Sequence, residues 1–361
     1  MNILIIANND VGLYQFRRDL IKELLMNNEV HIALPYGEKV EDLVKMGCKF
    51  IDTPLERRGM NPLKDIALFR LYKNVLKNVA PDLVITYTIK PNIYGGFACK
   101  QSGIPYVVNI TGLGTAFQKD GLLKGLVVNL YKKALKNAKV VLFENEGNRQ
   151  VFLDNHIITE NRTHVLHGAG VNTDVYALVP YPNHTDQVKF LFVGRVMKEK
   201  GVEELFQAMQ MLLKDGIACH LDVVGWCEED YTDVLNQYQA DGWLTNHGFQ
   251  NDVKPFIEAC DCFVLPSWHE GMANTNLESA SSGRPVITTN IHGCMESVED
   301  EVTGFLIEKQ NAVSLYEGMK KFLALSYDER KDMGLAGRER MIEIFDKKKV
   351  VEDTIKAMDI K

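Results

Sequence analysis

Short continuous apolar runs alternate with longer amphipathic stretches along the whole chain. In the first half, the runs predict strands at Ile3–Ala7, Val30–Leu34, Phe50–Pro54, Leu83–Thr86, Tyr106–Ile110 and Val140–Phe143. Between these runs apolar residues recur at helical spacing, as in Tyr14–Met26 and Leu63–Val79. Continuously apolar strands separated by amphipathic helices indicate a parallel sheet that is covered on both faces.

The same pattern restarts in the second half, after a segment with little periodicity. That segment lies between Val171 and Lys189, contains two prolines, and is predicted to be a linker. Strands are then predicted in "KFLFVGRV", "CHLDVVG", Leu244–His247, "CFVLPS", "PVITTN" and "GFLIEK". Helices are predicted at Val202–Leu213, Tyr231–Gln239, Val253–Ala259, Thr275–Ser281, Val313–Leu325, Tyr327–Ile344 and Lys347–Met358.

We therefore predict an α/β fold with two Rossmann-like, doubly wound parallel-sheet domains in tandem. The length of 361 residues suits two domains. The predicted boundaries give an N-terminal domain over residues 1–172 and a C-terminal domain over residues 173–345, with a C-terminal helix over residues 346–361 that packs back on the N-terminal domain. Ligands of such sheets bind beyond the carboxyl ends of the strands, so the loops there are the candidates for chemistry.

Composition and charge narrow the class of protein. An apolar content of 46% is a globular value, and a net charge of -7 disfavours a nucleic-acid binder, which normally has a basic excess. The seven cysteines are scattered without a CxxC pair, and Cys260 and Cys262 fit buried thiols better than ligands, which favours a reduced, cytosolic compartment. The start "MNILIIANND" predicts a strand rather than a signal peptide, and no apolar run has the length of a membrane span. We expect a soluble protein, with contact to a membrane surface left open.

A nicotinamide-dependent dehydrogenase is the first alternative for a Rossmann sheet, and the glycine pattern disfavours it. Such an enzyme needs G-x-G-x-x-G between the first strand and helix. This chain has "ANNDVGLYQF" there, with Gly12 alone. The loop "VGRVMKEKG" lacks the pattern too, and "TGLGTAF" supplies Gly112 and Gly114 but then Phe117.

The loop "GRVMKEKG" predicts an anion site. It places Arg195 and Lys200 five positions apart, beside Gly194 and Gly201, between a strand and a helix. Fixed cations near a helix N-terminus attract phosphate, and arginine can bind it through two nitrogens. A solvated basic turn is the alternative interpretation.

The stretch "SWHEGMANTNLESASSGRPVI" places Glu270 and Glu278 eight positions apart. Gly271 and Ala273 let a ligand approach the backbone, and the following helix directs free N–H groups toward it. We expect Glu278 in the first turn of that helix, where a Thr275-x-x-Glu278 capping box would explain it without a ligand. Glu270 has no such explanation, and its carboxylate suits hydrogen bonds from sugar or ribose hydroxyls.

Two carboxylates also occur in glycosidases, but a glycosidase needs no adjacent phosphate site. The chain contains no Asp-x-Asp, the arrangement that would hold a metal on a nucleotide diphosphate. We therefore expect Arg195, Lys200 and helix N-termini to neutralise a diphosphate, without metal or cofactor.

Four segments together carry a resemblance to a known family. In order and spacing, "GRVMKEKG", "NHGFQNDV", "CFVLPSWHEGMANTNLESASSGRPVITTNIHG" and "SVEDEVTGFLIE" resemble the retaining GT-B glycosyltransferases of family 4 (GT4), over essentially all of residues 189–310. The resemblance implies two Rossmann-like domains facing a central cleft. The C-terminal domain would bind the nucleotide-sugar donor and the N-terminal domain the acceptor.

The resemblance also implies roles for individual residues. Glu270 would contact hydroxyls of the donor sugar, Glu278 the ribose, and Arg195 and Lys200 the diphosphate; Glu270, Arg195 and Lys200 are the catalytic candidates. The further donor-binding candidates are Gly12, Gly194, Gly248, Phe249, His269, Gly271, Met272, Ala273 and Asn274. The acceptor-side candidates are Asn9, Asp10, Thr111 and Gly112.

Thr111 marks a departure from the family pattern. Many relatives carry a histidine before the glycine in this loop, whereas this chain reads "VVNITGLGTAF". A histidine's role in placing the donor sugar therefore does not carry over, because threonine offers only a neutral hydrogen bond.

The motifs "TGLG" and "EGMANT" resemble a subgroup that builds capsule, O-antigen or N-glycan precursors on polyprenyl-diphosphate lipids. The basic, amphipathic stretch Asp120–Lys139, together with Arg57, Arg58 and Lys64, is consistent with an anionic membrane surface or a lipid diphosphate. An ordinary amphipathic helix with a solvated lysine face explains the same pattern.

We therefore expect a retaining transferase that moves a hexose or N-acetylhexosamine from a nucleotide-diphosphate donor, UDP-linked, to a polyprenyl-diphosphate-linked saccharide. Its expected location is the cytoplasm, including the periphery of the cytoplasmic membrane face. A sugar-nucleotide epimerase, or a phosphorolytic or hydrolytic relative on the same scaffold, is one alternative, because a fold alone does not fix its chemistry. A non-catalytic nucleotide-sugar-binding subunit is another.

Overall fold

The chain divides into two compact units. A computed structural model describes residues 1–56, 59, 61–114, 117, 121–183 and 187–360. One unit comprises residues 1–169 with 348–361, and the other comprises residues 170–347. Arg57, Arg58 and Asp120, which we placed in basic segments, lie outside the described residues.

The first unit holds a parallel sheet. Its strands are β1 (Asn2–Ile6), β2 (Glu29–Leu34), β3 (Lys49–Asp52), β4 (Leu83–Tyr87), β5 (Tyr106–Ile110), β6 (Val140–Phe143) and β7 (Thr163–Val165). Its helices are α1 (Asp10–Leu25), α2 (Val40–Lys45), α3 (Pro62–Val79), a π-helix at Pro91–Gly95, α4 (Gly96–Ser102), α5 (Leu122–Ala134) and α6 (Glu146–Asp154). The strand order in the described residues is β3-β2-β1-β4-β5-β6-β7.

The second unit repeats this plan. Its strands are β8 (Val188–Val193), β9 (Cys219–Val224), β10 (Leu244–Asn246), β11 (Cys262–Leu265), β12 (Val286–Thr289) and β13 (Gly304–Ile307), in the order β10-β9-β8-β11-β12-β13. Its helices are α7 (Val202–Lys214), α8 (Thr232–Ala240), α9 (Lys254–Ala259), α10 (Asn274–Ser281), α11 (Ala312–Ala324) and α12 (Tyr327–Ile344). The last helix, α13 (Lys347–Met358), lies almost wholly within residues 348–361 of the first unit.

Both sheets are wound in opposite directions from a central pair of strands. In the first unit the order reverses between β1 and β4, and in the second between β8 and β11. The central strands are buried on both faces, as Leu4, Ile5, Leu191 and Phe192 show with no exposed surface. The loops after these central strands therefore lie at the positions where doubly wound sheets bind ligands.

The predicted α/β fold with two Rossmann-like parallel sheets is confirmed. Most predicted elements differ from the observed ones by one to four residues at their ends. The sequence analysis did not name the short helices α2, α4 and α6, the three-residue edge strand β7 or the π-helix at Pro91–Gly95. All of these elements have nine residues or fewer, so each gives only a weak period in the sequence.

Arg284 joins three parts of the second unit. Its side chain is fully buried, and its guanidinium donates to the carbonyls of Ile257 at 2.9 Å, Glu258 at 2.9 Å and Pro180 at 2.8 Å. These bonds connect the irregular segment before β8 to the end of α9 and the start of β12. Burial of an arginine is tolerated here because carbonyl oxygens surround its charge.

We expect Arg284→Met to lower the free energy of unfolding by about 3 kcal/mol, because it leaves buried carbonyls without donors. Trp226, Trp243 and Trp268 all lie in the second unit, so tryptophan fluorescence during urea unfolding reports on it. The exposed Lys331→Met is the matched control. Equal unfolding midpoints for the two variants would contradict this role of Arg284.

Candidate active site

Lys200 and Glu270 meet at the carboxyl edge of the second sheet. Lys200 follows β8, Glu270 follows β11, and these two strands are parallel neighbours. The Lys200 ammonium forms an ion pair with Glu270 Oε1, and the two side chains are 19% and 14% exposed. Ser267 Oγ donates to the same carboxylate oxygen over 2.8 Å. Two candidates separated by 70 residues are thus brought into direct contact.

Close main-chain packing holds these two loops together. Gly201 has a φ of +73°, and a Cβ on it would lie 2.1 Å from the carbonyl oxygen of Pro266. The amide of Trp268 donates to the carbonyl of Glu199 over 2.9 Å. Because only glycine fits at position 201, the loop after β8 can approach the loop after β11 closely enough to form the ion pair.

Arg195 contacts a different carboxylate. Its guanidinium pairs with Glu228 Oε2 at 2.6 Å, and its side chain is 39% exposed. Glu228 lies in the loop after β9, and the neighbouring Glu229 accepts from the amide of Lys198 over 2.7 Å. Sequence analysis missed both acidic residues, although the run "GWCEED" after a predicted strand was the available signal. The accessible guanidinium has the reach and charge to bind an anion from solvent.

The predicted position of Glu278 in its helix is wrong. Helix α10 begins at Asn274 after Ala273, so Glu278 is its fifth residue and lies beyond the first turn. The predicted Thr275–Glu278 capping box is also wrong, since no side chain caps this helix. The amide of Ala273 instead donates to the carbonyl of Gly293 over 2.7 Å, and this tertiary contact sets where the helix starts.

Burial raises the pKa of Glu278 to about 7 from the ordinary value of 4.5. A hydrogen bond from Tyr176 and the charge of Lys347 lower that pKa again, but by less than burial raises it. A carboxyl group with this pKa exchanges its proton near neutral pH. In its ionised form it is a strong acceptor for hydroxyl groups.

The loop between Glu270 and α10 is occupied by internal contacts. Met272 and Ala273 are buried in the core of the second unit, and the amide of Asn274 donates to the carbonyl of Met272 over 3.0 Å. The Asn274 side-chain oxygen is buried and has no hydrogen-bond partner among the described residues. An acceptor without a donor is therefore present beside the Glu270 loop.

Two exposed aromatic rings lie at the ends of β9 and β10. Phe249 is 58% exposed and Trp226 is 50% exposed, and their ring centroids are 5.5 Å apart. Beside them the amide of Gly225 donates to the carbonyl of Gly248 over 2.8 Å. Sequence analysis named Gly248 and Phe249 but missed Trp226.

His269 and Gly194 lie on the same two loops as the ion pair. His269 Nε2 lies 3.4 Å from Glu199 Oε2, and burial lowers the pKa of this imidazole. Gly194 follows β8 directly, and its amide donates to the carbonyl of Val224 over 2.9 Å. Gly271, next to Glu270, is partly buried.

Candidate residues of the first unit also make hydrogen bonds that stabilise its fold. Asn9 caps α1 by accepting from the amide of Gly12 over 2.8 Å, and a Cβ at position 12 would lie equally close to that oxygen. Asp10 is buried and accepts from the amide of Lys39 over 2.6 Å. Thr111 and Gly112 directly follow β5 and are partly buried. Any role of these residues in binding the acceptor is therefore additional to the contacts that they make within the fold.

The cysteines contribute to packing. Cys260 and Cys262 are buried, as predicted, and burial raises the pKa of Cys260 to about 12. Across the described ranges, no group of three or more His, Cys, Asp or Glu side chains is arranged to hold a metal ion. None of the helices in the described part of the chain combines the length and apolar character needed to cross a bilayer.

Two Rossmann-like units, each with functional candidates at the carboxyl edge of its sheet, define the GT-B class of fold. A family model described as "Glycosyl transferase 4-like" matches residues 2–145, and one described as "Glycosyl transferases group 1" matches residues 180–340. The chain belongs to the GT-B glycosyltransferases of family 4.

Individual relatives span most of the chain. An N,N'-diacetylbacillosaminyl-diphospho-undecaprenol alpha-1,3-N-acetylgalactosaminyltransferase of Campylobacter jejuni is 28% identical over 93% of this chain and 92% of that protein. A UDP-Gal:alpha-D-GlcNAc-diphosphoundecaprenol alpha-1,3-galactosyltransferase of Escherichia coli is 29% identical over 79% of this chain and 78% of that protein. The fold is similar to that of Anabaena HepE in complex with UDP and glucose, with a TM-score of 0.82 at 16% identity over 100% of both chains.

The raised pKa of Glu278 predicts a pH dependence of stability. The folded state retains this proton up to a pH of about 7 and the unfolded state only up to 4.5, so this group makes stability fall as pH rises through that window. Glu278→Gln should reduce this pH-dependent fall in the free energy of unfolding by up to about 3 kcal/mol. Urea unfolding at pH 5 and pH 8 measures it, with the exposed Glu339→Gln as control. Parallel pH profiles for wild type and Glu278→Gln would refute the assignment.

Proposed function

We propose that the protein transfers a hexose or N-acetylhexosamine from a UDP-linked donor to a hydroxyl of a polyprenyl-diphosphate-linked saccharide, with retention of configuration. The product would serve surface polysaccharide or glycan assembly. The contact between Lys200 and Glu270 carries this proposal. This contact supports the proposal because a cation suited to a diphosphate lies beside a carboxylate suited to sugar hydroxyls, where the strand order of the second sheet reverses.

The relatives support the choice of donor and acceptor. The Campylobacter and Escherichia enzymes are both named for acceptors linked to diphospho-undecaprenol, and the second is named for UDP-Gal as donor. Anabaena HepE, which shares the fold, was solved with UDP and glucose. Relatives that span most of the chain thus point to one acceptor class, and the UDP moiety recurs in two of the three.

In the proposed reaction, Lys200 and Arg195 bind the donor diphosphate, and Arg195 exchanges Glu228 for phosphate oxygens. Glu270 accepts hydrogen bonds from the donor sugar, and ionised Glu278 accepts them from the ribose. The acceptor oxygen forms its bond to the anomeric carbon on the face from which the phosphate oxygen departs. The acceptor proton passes to that phosphate oxygen, so no protein nucleophile is needed. Preorganised cations at the leaving diphosphate supply the largest stabilisation.

The proposal includes transfer without a metal ion and location at the periphery of the cytoplasmic membrane face. Arg195 and Lys200 would take the neutralising role that a metal has elsewhere. The exposed leucines of α5, among them Leu122 at 96% exposure, give the first unit an apolar patch that suits contact with lipid.

The test is a thermal-shift screen of UDP-, GDP-, ADP- and dTDP-sugars without metal, followed by assays of nucleotide release. We expect UDP release that requires a polyprenyl-diphosphate saccharide and that EDTA does not diminish. Isomerised nucleotide-sugar without an acceptor would make the protein an epimerase. Binding without release, whatever polyprenyl-diphosphate saccharide is offered, would make it a non-catalytic subunit.

We expect Arg195→Ala and Lys200→Ala each to lower turnover by about 10²–10³-fold, because each removes a preorganised donor to the leaving diphosphate. Lys198→Ala is the matched control, since Lys198 lies in the same loop and pairs with Glu203 at 3.4 Å. Initial rates at saturating donor measure the effect. Near-normal rates for both Arg195→Ala and Lys200→Ala would exclude the phosphate site.

A further inference from the structure

The first unit contains an apolar groove that is lined by none of the candidate site residues. It has a volume of about 550 Å³ and lies between α3 and the segment formed by the π-helix and α4. Its apolar wall includes Pro62, Ile66, Phe69, Tyr94, Phe97 and the stem of Gln101. Binding sites for small molecules have volumes of about 300–1,000 Å³, so the groove is large enough to hold a ligand.

The spacing of the lining residues explains the groove. Ile66 and Phe69 share one face of α3, while Tyr94 and Phe97 share the outward face of the neighbouring segment. That segment lies deep, because glycines at its centre allow close packing. A Cβ on Gly95 would lie 3.2 Å from the side chain of Thr86 in the sheet, and one on Gly96 would lie 3.2 Å from a carbonyl of α5. The outward face of this segment therefore lies closer to the sheet than it could with larger residues at these positions, which leaves space beside α3.

Several ammonium groups lie on or near the residues of this apolar surface. Lys100 lines the groove, and Lys73 lies 6.0 Å from the ring of Phe69. Lys90 pairs at 3.0 Å with Asp65, a buried carboxylate in the groove wall, and the exposed Lys64 pairs with Glu56. Four lysines against two carboxylates leave a net positive charge. An apolar channel with a cationic rim is complementary to an amphiphile that has a long apolar chain and an anionic head.

A series of contacts links the groove wall to the acceptor-side loop of the same unit. A Cβ on Gly114, in the loop that contains Thr111, would lie 2.6 Å from Ile89 Cδ1. Ile89 directly precedes Lys90, whose ammonium reaches Asp65 in the groove wall. Ile89 and Lys90 therefore connect the loop that contains Thr111 to Asp65 in the groove wall.

We propose that this groove binds the isoprenoid chain of the polyprenyl-diphosphate acceptor, with the lysines at its rim attracting the diphosphate. The inference rests on the proposed function and adds a second contact region for the acceptor. It distinguishes the groove from the exposed leucines of α5, which do not line it. In this proposal the α5 patch would contact bulk lipid, whereas the groove would bind a single isoprenoid chain.

The test is photo-crosslinking of the full-length protein in detergent with a benzophenone-tagged geranylgeranyl diphosphate, followed by peptide mapping. We expect labels in residues 62–69 and 94–101 that unlabelled undecaprenyl diphosphate displaces and phosphatidic acid does not. Labels in residues 122–134 alone, equal displacement by phosphatidic acid, or no labelling would overturn the proposal. Crosslinking measures binding and requires no turnover. A failure of the proposed transfer reaction would appear in the nucleotide-release assay instead, so the two failures can be distinguished.

A matched pair of variants sharpens the test. Ile66 in the groove and Leu126 on α5 are both 48% exposed, so neither substitution should disturb the core. Ile66→Glu should reduce labelling of the groove peptides about tenfold, because it places a charge on the apolar wall, while Leu126→Glu should leave labelling within twofold. The conservative variant Ile66→Leu should keep the wild-type labelling of the groove peptides. Equal labelling of Ile66→Glu and Leu126→Glu would overturn the proposal.

Discussion

The ion pair between Lys200 and Glu270 is the constraint on which the second unit's site depends. It joins the loops after the two central strands, and it forms only because Gly201 brings one main chain against the other. Loss of either partner would leave a largely buried charge unpaired, which costs several kcal/mol. The pair also holds the Lys200 ammonium at the carboxyl edge of the sheet. A diphosphate arriving there meets a cation whose position is already fixed, so binding requires little ordering.

The groove and the ion pair lie in different units but both depend on close packing at glycines. In each unit, glycines let one segment approach its neighbours closely. The result is a groove in the first unit and an ion pair in the second. Gly95 and Gly96 let a helical segment pack close to the sheet and to α5, which leaves a groove beside α3. Gly201 lets one loop pack close to another, which allows the ion pair to form. Asn9 and Asp10 show the converse case, because capping and packing already occupy their polar atoms. A polar residue at a sheet edge can therefore be held entirely by the fold.

The sequence was sufficient for the fold and for naming Lys200 and Glu270 as candidates. Apolar periodicity predicted both parallel sheets, and the rule that ligands bind at the carboxyl ends of strands pointed to the two loops, but the ion pair between Lys200 and Glu270 was not predicted. The start of α10 could not be predicted, because a tertiary hydrogen bond from Ala273 to Gly293 sets it. The partner of Arg195 could not be predicted either, since Glu228 comes from a third strand's loop. The groove depends on packing depth, which no local pattern encodes.

The measurement that tests the account most directly is the structure of the reaction product. The protein would be incubated with a UDP-sugar and a polyprenyl-diphosphate saccharide, and the product analysed by mass spectrometry and NMR spectroscopy. The account predicts a lipid-linked saccharide longer by one sugar, with the anomeric configuration of the donor retained. A product with inverted configuration, or an altered nucleotide-sugar beside an unchanged lipid-linked saccharide, would contradict it.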